Sequence, residues 1–570
     1  MNASLVRGKY ATTGYIPSDT APIVWERASP VWHRSRQSFS VGFPFSRIGF
    51  SNAQPLKMFS RKIRIAIFVA LTVCGATPTI IESQTPKRTT TRRRARRPRP
   101  RPPAVPVVRY STLNNAADLA TTLSGLTGRT RGGTWGVMVV SLTRGDTLYA
   151  DNAGEQMLPA STMKLLTSAI ALDRFGPDYQ FSTDALRDAA VGPDGTLTGN
   201  LYLRGDGDPA LSGKFLPGGP SAPMNRLADL VASKGIRHVT GSVIGDATGF
   251  DDEKVPQGWL TRYLQASYAA RVSALSLNEN VVVVAVTPTA AGKPATVVLE
   301  PSTSAIPLVA NVRTVAGVGA RLAFRKQGDG TITANGSIGA RTGTRRYVYI
   351  VEDPASFATG AFLNALIARG VKVDGGIRLG RTPPTATKVA SLLSPPLASM
   401  IAAMNRESIN HYAELLFRNA ARGPQRNAVG SVANATGVLD SFFASKVGVD
   451  TSSLKFADGS GLSTIDRVTP RAQVQLLGYA HRAQWGPWLH SSLPVAGDSE
   501  LLKRRMRNTP AEGNLHAKTG TTNDVIALAG YVTAVNGEVL AFSFLYNGRD
   551  RWTAKSMIDV MSETLAGFGR

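Results

Sequence analysis

An interruption constrains this chain more than any other feature. Two segments with helical spacing, STMKLLTSAIALDRFG (161–176) and residues 396–424, flank residues 183–395, which are rich in Gly, Thr and Val. That stretch contains strand-like runs such as ENVVVVAV (279–286) and RRYVYIVE (345–352). The first helical segment repeats apolar residues every three or four positions and stops at Gly176-Pro177. Hairpin signals sit towards both ends of the globular part. TWGVMVVSLTRGDTLYADNA (134–153) turns around Arg144-Gly145-Asp146, and VIALAGYVTAVNGEVLAFSFLYN (525–547) turns at Asn536-Gly537. A closing helix is expected over roughly 554–567. At 570 residues the chain is too long for one ordinary core. This order predicts a mixed α/β domain split by a large, mostly β insertion.

The charge is unevenly placed. The net charge is +26, yet residues 1–110 hold 20 Lys/Arg against 3 Asp/Glu. Most of the basicity therefore lies outside the expected folded body, which argues for a tail near an anionic surface rather than a nucleic-acid-binding fold. Within that region SRKIRIAIFVALTVCGAT (60–77) places Arg61, Lys62 and Arg64 before an apolar run. The run is too short to span a bilayer comfortably and fits a secretory signal, with cleavage expected after Ala76. Met58 is a natural start for such a signal, in which case residues 1–57 are a mis-assigned upstream extension and 58–84 the signal region. Val73 ahead of Cys74 argues against a lipoprotein signal. The next segment, TPKRTTTRRRARRPRPRPPAVP (85–106), has no apolar periodicity and reads as an extended linker over 85–109. Downstream of an export signal, anionic wall polymers or lipid headgroups outrank nucleic acid as its partner, and a solvated spacer without a partner stays open. The single cysteine excludes a disulfide framework within one chain. The six histidines show no metal-ligand spacing, so neither metal nor cofactor is expected.

Three short motifs carry the chemistry. Ser161 and Lys164 are one helical turn apart on one face, at a helix start where backbone N–H groups favour developing negative charge. A serine hydroxyl needs a base, and a desolvated lysine can serve as one. Taken alone, the pair reads more readily as an N-cap serine beside a solvated lysine. Ser452 and Lys455 repeat the spacing. RESINHYAELLF (406–417) adds Ser408 and Asn410, and LHAKTGTTNDV (515–525) adds Lys518-Thr519-Gly520 ahead of an apolar strand. Both have decoys, Ser276-Leu277-Asn278 and Arg341-Thr342-Gly343. Only Ser161, Ser408 and Lys518 combine the right order with a helix start, an inter-helix loop and a strand entry. Serine acyl-enzyme peptidases and β-lactamases use this trio.

Residues 130–567 resemble the low-molecular-mass class C penicillin-binding proteins, the D-alanyl-D-alanine carboxypeptidases/endopeptidases of the bacterial wall. The likeness includes LPASTMKLLTSAIAL (158–172), LYLRGDGDPALS (201–212), SALSLNENVVVV (273–284), MNRESINHYAELLF (404–417), DGSGLS (458–463), RVTP (467–470) and HAKTGTTNDVIALAGYV (516–532). Ser161 and Ser408 stand 247 residues apart, more than a plain serine β-lactamase accommodates. The resemblance implies a penicillin-binding-protein/serine β-lactamase-like transpeptidase domain split by two nested, mostly β insert domains. The expected partition is 110–183 and 376–570 for the peptidase domain, 184–205 and 277–375 for the second domain, and 206–276 for a third nested within it.

The resemblance also implies roles. Ser161 attacks the carbonyl between the last two D-alanines, with Lys164 as general base. Ser408 relays a proton to the leaving amine, and Asn410 hydrogen-bonds the substrate backbone. Lys518 supplies positive field, while Thr519 and Thr521 hold the terminal carboxylate beside Gly520. The backbone N–H groups of Ser161 and Thr521 form the oxyanion hole. The implied partners are peptidoglycan stem peptides and β-lactam antibiotics, in an exported, periplasmic or wall-associated protein, with no nucleic acid. DGSGLS lacks the following Gly-Lys-Ser/Thr of a phosphate loop and reads as a structural turn, with Asp458 orienting neighbours rather than reacting. Relatives that recognise a free amine on the stem peptide tend to carry an acid soon after a Gly-Trp. Here GWLTRYLQ (258–265) offers Arg262 and Tyr263, with Asp251, Asp252 and Glu253 upstream as substitutes. Two other readings stay open: a serine β-lactamase or esterase with the same acyl-serine chemistry, and a non-catalytic penicillin-binding wall protein.

Overall fold

A computed structural model describes residues 116–570. The signal-like segment, the basic linker and the start of the expected peptidase domain at 110 lie outside the described residues. The central element is a five-stranded antiparallel sheet, ordered His516–Thr521, Val525–Thr533, Val539–Asn547, Thr134–Ser141, Asp146–Asp151. Both predicted hairpins are in it. Strands from the two ends of the described chain meet where Thr134–Ser141 pairs with Val539–Asn547.

Side chains alternate across a strand, so a sheet buried on both faces feeds two cores. Val137, Val139, Leu528, Phe542 and Phe544 pack on one face with Leu123, Ile558 and Leu565. These last come from the helices Ala117–Thr127 and Arg551–Ala566. Met138, Val140, Ala527, Ala541 and Leu545 face the other way, against Leu165, Met404, Leu416 and Leu477. That layer holds the helices Met163–Phe175, Leu397–Glu407, Asn410–Arg422 and Pro470–Arg482. The first ten residues of Met163–Phe175 are all buried, the pattern of a helix surrounded by protein. Lys164 is buried there for that reason.

The insertion builds a separate core. Its largest sheet is ordered Ile377–Leu379, Val243–Asp246, Leu201–Arg204, Ser182–Arg187, Thr387–Leu393. Ser182–Arg187, where the chain enters, pairs antiparallel with Thr387–Leu393, where it leaves. The return to the catalytic layers therefore falls after Leu393, not at 376 as expected. Residues expected in a nested third domain join this same core: Leu227 and Val231 of the helix Ala222–Ser233 pack with Phe362 and Leu366 of Pro354–Ile367. Val243–Asp246 pairs in parallel with both Leu201–Arg204 and Ile377–Leu379. What extends from that core is the mostly irregular segment 247–280. It lies against the catalytic layer, through a bridge between Phe250 and Gly430 and a small cluster of Phe250, Val272, Ala274 and Leu415.

Candidate active site

Ser161 sits in the 3₁₀ turn Ala160–Thr162 that opens into the helix Met163–Phe175. The preceding Ala160 has φ 46°, a left-handed conformation that a side chain adopts only under local constraint. The constraint is visible. Gly461, itself at φ +79°, runs so close that a Cβ there would fall 1.8 Å from the Ala160 carbonyl oxygen. Gly520 packs on the other side, where a Cβ would lie 2.8 Å from the Pro159 carbonyl oxygen. Glycine at both positions lets the turn carrying Ser161 be gripped between the DGSGLS loop and the edge strand His516–Thr521.

Lys164 Nζ lies 3.0 Å from Ser161 Oγ, 2.7 Å from Asn410 Oδ1 and 2.9 Å from the Ser460 carbonyl oxygen. Asn410 opens the helix Asn410–Arg422, and its Nδ2 donates to the Tyr268 carbonyl at 2.9 Å. That donation fixes the amide so that its oxygen faces Lys164. A neutral amine has two N–H groups and one lone pair. The two carbonyl acceptors take the N–H groups and leave the lone pair for the Ser161 hydroxyl. Burial lowers the Lys164 pKa to about 7, against the upward pull of Asp458, Glu414 and Asp466.

Ser408 ends the helix Leu397–Glu407 in a left-handed conformation, φ 58°. Its Oγ accepts from Lys518 Nζ at 3.0 Å, and the same ammonium donates to the Thr519 carbonyl at 3.0 Å. Lys518 is fully buried, and burial together with the nearby Lys164 charge pushes its pKa well below the ordinary lysine value. Thr519 is half-buried, Gly520 buried and Thr521 exposed on the edge strand. The fold thus draws Ser161, Lys164 and Asn410 into one hydrogen-bonded group and Ser408, Lys518 and Thr519 into a second. Gly520 packs beside the Ser161 turn, and Thr521 follows it along the strand. The decoys stay apart. Ser452 and Lys455 are exposed, Ser276 Oγ donates to the Ser273 carbonyl, and Thr342 Oγ1 donates to the Gly319 carbonyl.

Asp458, read from the sequence as an orienting residue, has that place here, and its partners, with Glu414, Asp466 and His411, escaped the sequence reading. Asp458 accepts from the backbone N–H groups of Ser460, Gly461, Leu462 and Ser463, and from Trp259 Nε1 at 2.8 Å. That nest shapes the loop whose Ser460 carbonyl meets Lys164. Glu414, one turn after Asn410, accepts from the Gly459 N–H and lies 3.6 Å from the buried Arg418. Burial, reinforced by Asp458, pushes Glu414 up to about 8 and Asp466 well above the usual carboxylate range. His411 Nε2 lies 3.0 Å from Asn280 Nδ2, a second link to the insertion. Two of the three acids upstream of Gly258-Trp259 are engaged elsewhere. Asp251 and Glu253 lie 3.7 and 3.8 Å from the Arg418 guanidinium, while Arg262 stacks 5.1 Å over the Tyr263 ring.

Comparison with known proteins gives the family and the fold. The model of the D-Ala-D-Ala carboxypeptidase 3 (S13) family matches residues 116–567. The chain belongs to the D-Ala-D-Ala carboxypeptidase 3 (S13) family. It is 36% identical over 450 residues to a D-alanyl-D-alanine carboxypeptidase of Actinomadura sp. (strain R39), covering 76% of this chain and 81% of the relative. It is 25% identical over 406 residues to the D-alanyl-D-alanine carboxypeptidase DacB of Haemophilus influenzae, covering 70% and 82%. The crystal structure of penicillin binding protein 4 (dacB) from Haemophilus influenzae shares the fold, with a TM-score of 0.64 at 22% identity over 79% of this chain and all of that one. The same neighbour complexed with a novel β-lactam gives a TM-score of 0.60 at 22% identity, covering 80% of this chain and 98% of that one. The expected fold class and family are therefore correct. The S13 carboxypeptidase fold brings all three motifs together.

Proposed function

We propose that the chain is a serine-type DD-peptidase that cleaves D-Ala-D-Ala ends of peptidoglycan stem peptides through an acyl-enzyme, and that penicillins acylate it covalently. The observation that carries this reading is the Lys164 amine: buried, with both N–H groups on carbonyl oxygens and Ser161 Oγ 3.0 Å from it. In the proposed sequence the Ser161 proton passes to Lys164 Nζ as Oγ attacks the penultimate D-Ala carbonyl carbon. The backbone N–H groups of Ser161 and Thr521 stabilise the oxyanion. As the C–N bond breaks, the Ser408 hydroxyl gives its proton to the leaving amine and is resupplied with the proton that Lys164 took from Ser161, which leaves Lys164 neutral, while Lys518 holds the Ser408 hydroxyl in place. Water, deprotonated by Lys164, then attacks the ester and restores Ser161. Thr519 and Thr521 hold the terminal carboxylate, and Lys518 adds positive field.

Export to the wall follows from the signal-like segment at 58–84, and the basic linker would add attraction to anionic wall or membrane surfaces. Among the described residues no helix is long and apolar enough to cross a membrane. Carboxypeptidase action is the primary assignment; cleavage of D-Ala-diaminopimelate cross-links uses the same acyl chemistry. Digestion of purified peptidoglycan tests the reading. Free D-alanine and shortened monomers are expected. Loss of cross-linked dimers alone would reassign the chain as an endopeptidase, and no product would overturn the proposal.

A further inference from the structure

The insertion carries a solvent-facing sheet with an unusual charge pattern. Its three strands are ordered Leu308–Val315, Ile332–Gly339, Ala320–Lys326. Val312 and Thr314 are buried, while their neighbours Asn311, Arg313 and Val315 are exposed, so the second set faces outward. Arg313, Ser337 and Arg321 lie in register across the sheet, as do Val309, Thr333 and Arg325. Along with Asn311, Asn335, Ala323 and Val315, these residues give the outward face three arginines and no acid. Arg313, Arg321 and Arg325 are exposed, with no side-chain hydrogen bond or ion pair among the described residues.

Strand geometry sets the spacing. Arg313 and Arg321 are two strand separations apart, about 10 Å, and Arg321 and Arg325 are four residues apart along a strand, about 13 Å. Such spacing suits successive charges of a polymer rather than one small anion. The chain cannot supply the anion itself. Residues outside the described part carry 20 Lys/Arg against 3 Asp/Glu, and a second copy with net charge +26 is repelled. A single-stranded nucleic acid would call for aromatic side chains on which bases stack, and the outward face has none.

We propose that this sheet face binds a linear polyanion of the phosphodiester class that lacks bases. Binding holds the enzyme near its substrate polymer and is independent of the active-site reading. The test measures affinity of the full chain for synthetic poly(glycerol phosphate) from 50 to 200 mM salt. The triple variant R313Q/R321Q/R325Q is compared with a control triple at exposed arginines elsewhere, R378Q/R381Q/R504Q. Three lost contacts should flatten the slope of log K against log salt by about two to three, so the salt-driven loss of affinity shrinks roughly twenty- to fortyfold. The control should keep the wild-type slope. Equal slopes for wild type and R313Q/R321Q/R325Q, or an equal change in the control, would overturn the proposal. So would tighter, triple-sensitive binding to a single-stranded oligonucleotide. An unchanged circular dichroism spectrum and urea midpoint confirm that each variant is folded.

Discussion

Asn410 Oδ1 accepts from Lys164 Nζ at 2.7 Å while Asn410 Nδ2 donates to the Tyr268 carbonyl at 2.9 Å. One amide thus orients the lysine and ties the catalytic layer to the inserted segment. Lys164 and Asn410 are 246 residues apart in sequence. Whatever moves the insertion at Tyr268 also moves the group that directs the base.

The first prediction concerns pH. In the proposed mechanism Lys164 is the base, a role open to it only when neutral, and its pKa is lowered to about 7. Acylation by a chromogenic cephalosporin should therefore rise with pH along a limb near 7. Asn410→Asp places a carboxylate against the lysine and favours its charged form, so the limb should move up by about 1–3 pH units. Stopped-flow rates across pH 5 to 10 check this. A limb unmoved by the substitution would mean that another group titrates.

Trp259→Phe keeps an aromatic ring at the site but loses the pyrrole half of the indole, and with it one donor to the buried Asp458 carboxylate. A hydrogen bond to a charged acceptor contributes about 1.5–3 kcal/mol. The variant should unfold at lower denaturant concentration. Its acylation should also slow, because the Ser460 carbonyl that meets Lys164 belongs to the loop Asp458 organises. Wild-type values for both would show that the indole N–H is dispensable.

How much of this was legible beforehand depends on the range of the interaction. The Ser161–Lys164 pair is local, one helical turn, and Asn536-Gly537 specifies its own hairpin. The exit from the insertion was misplaced because Thr387–Leu393 gains its partner, Ser182–Arg187, only across the whole insert. TKVASLL carries no boundary of its own. Asp458 was read as a structural residue and acts as one, but its partner Trp259 is 199 positions away. Glu414 shares a helix face with Asn410, four residues earlier, and could have been found from that spacing. The engagement of Asp251 and Glu253 with Arg418 could not, since nothing near either acid names a buried arginine.

A histidine group gives a stability prediction. The His490 and His516 rings lie 4.3 Å apart, and His490 is held down to about 4 by burial, then by the neighbouring imidazoles. An imidazole whose pKa is depressed in the fold binds fewer protons than in the unfolded chain. Stability from its neutral form is present above about 6.5 and falls as pH drops toward 4. Buried His411, lowered to about 3, and His481 and His516, also lowered, act in the same direction. His490→Gln should make the loss between pH 6.5 and 4 shallower in urea melts. An unaltered slope would remove His490 from the account.

Thr521→Val tests the carboxylate anchor. Valine matches threonine in size and keeps the backbone N–H, so only the hydroxyl is lost. A charge-assisted hydrogen bond is worth roughly 1.5–3 kcal/mol, about one to two decades in kcat/KM for D-Ala-D-Ala peptides. Acylation by a small thioester without a terminal carboxylate should change little. Equal slowing of both substrates would confine Thr521 to shaping the strand edge.

The most direct test is intact-protein mass spectrometry after exposure to a penicillin, with peptide mapping of the adduct. The wild-type chain should gain one penicilloyl group on Ser161. Ser161→Ala should gain none, Lys164→Ala should acylate far more slowly, and Ser452→Ala should label as wild type. An adduct on Ser161→Ala, or one mapped to any other serine of the wild-type chain, would contradict the assignment of Ser161 as the nucleophile.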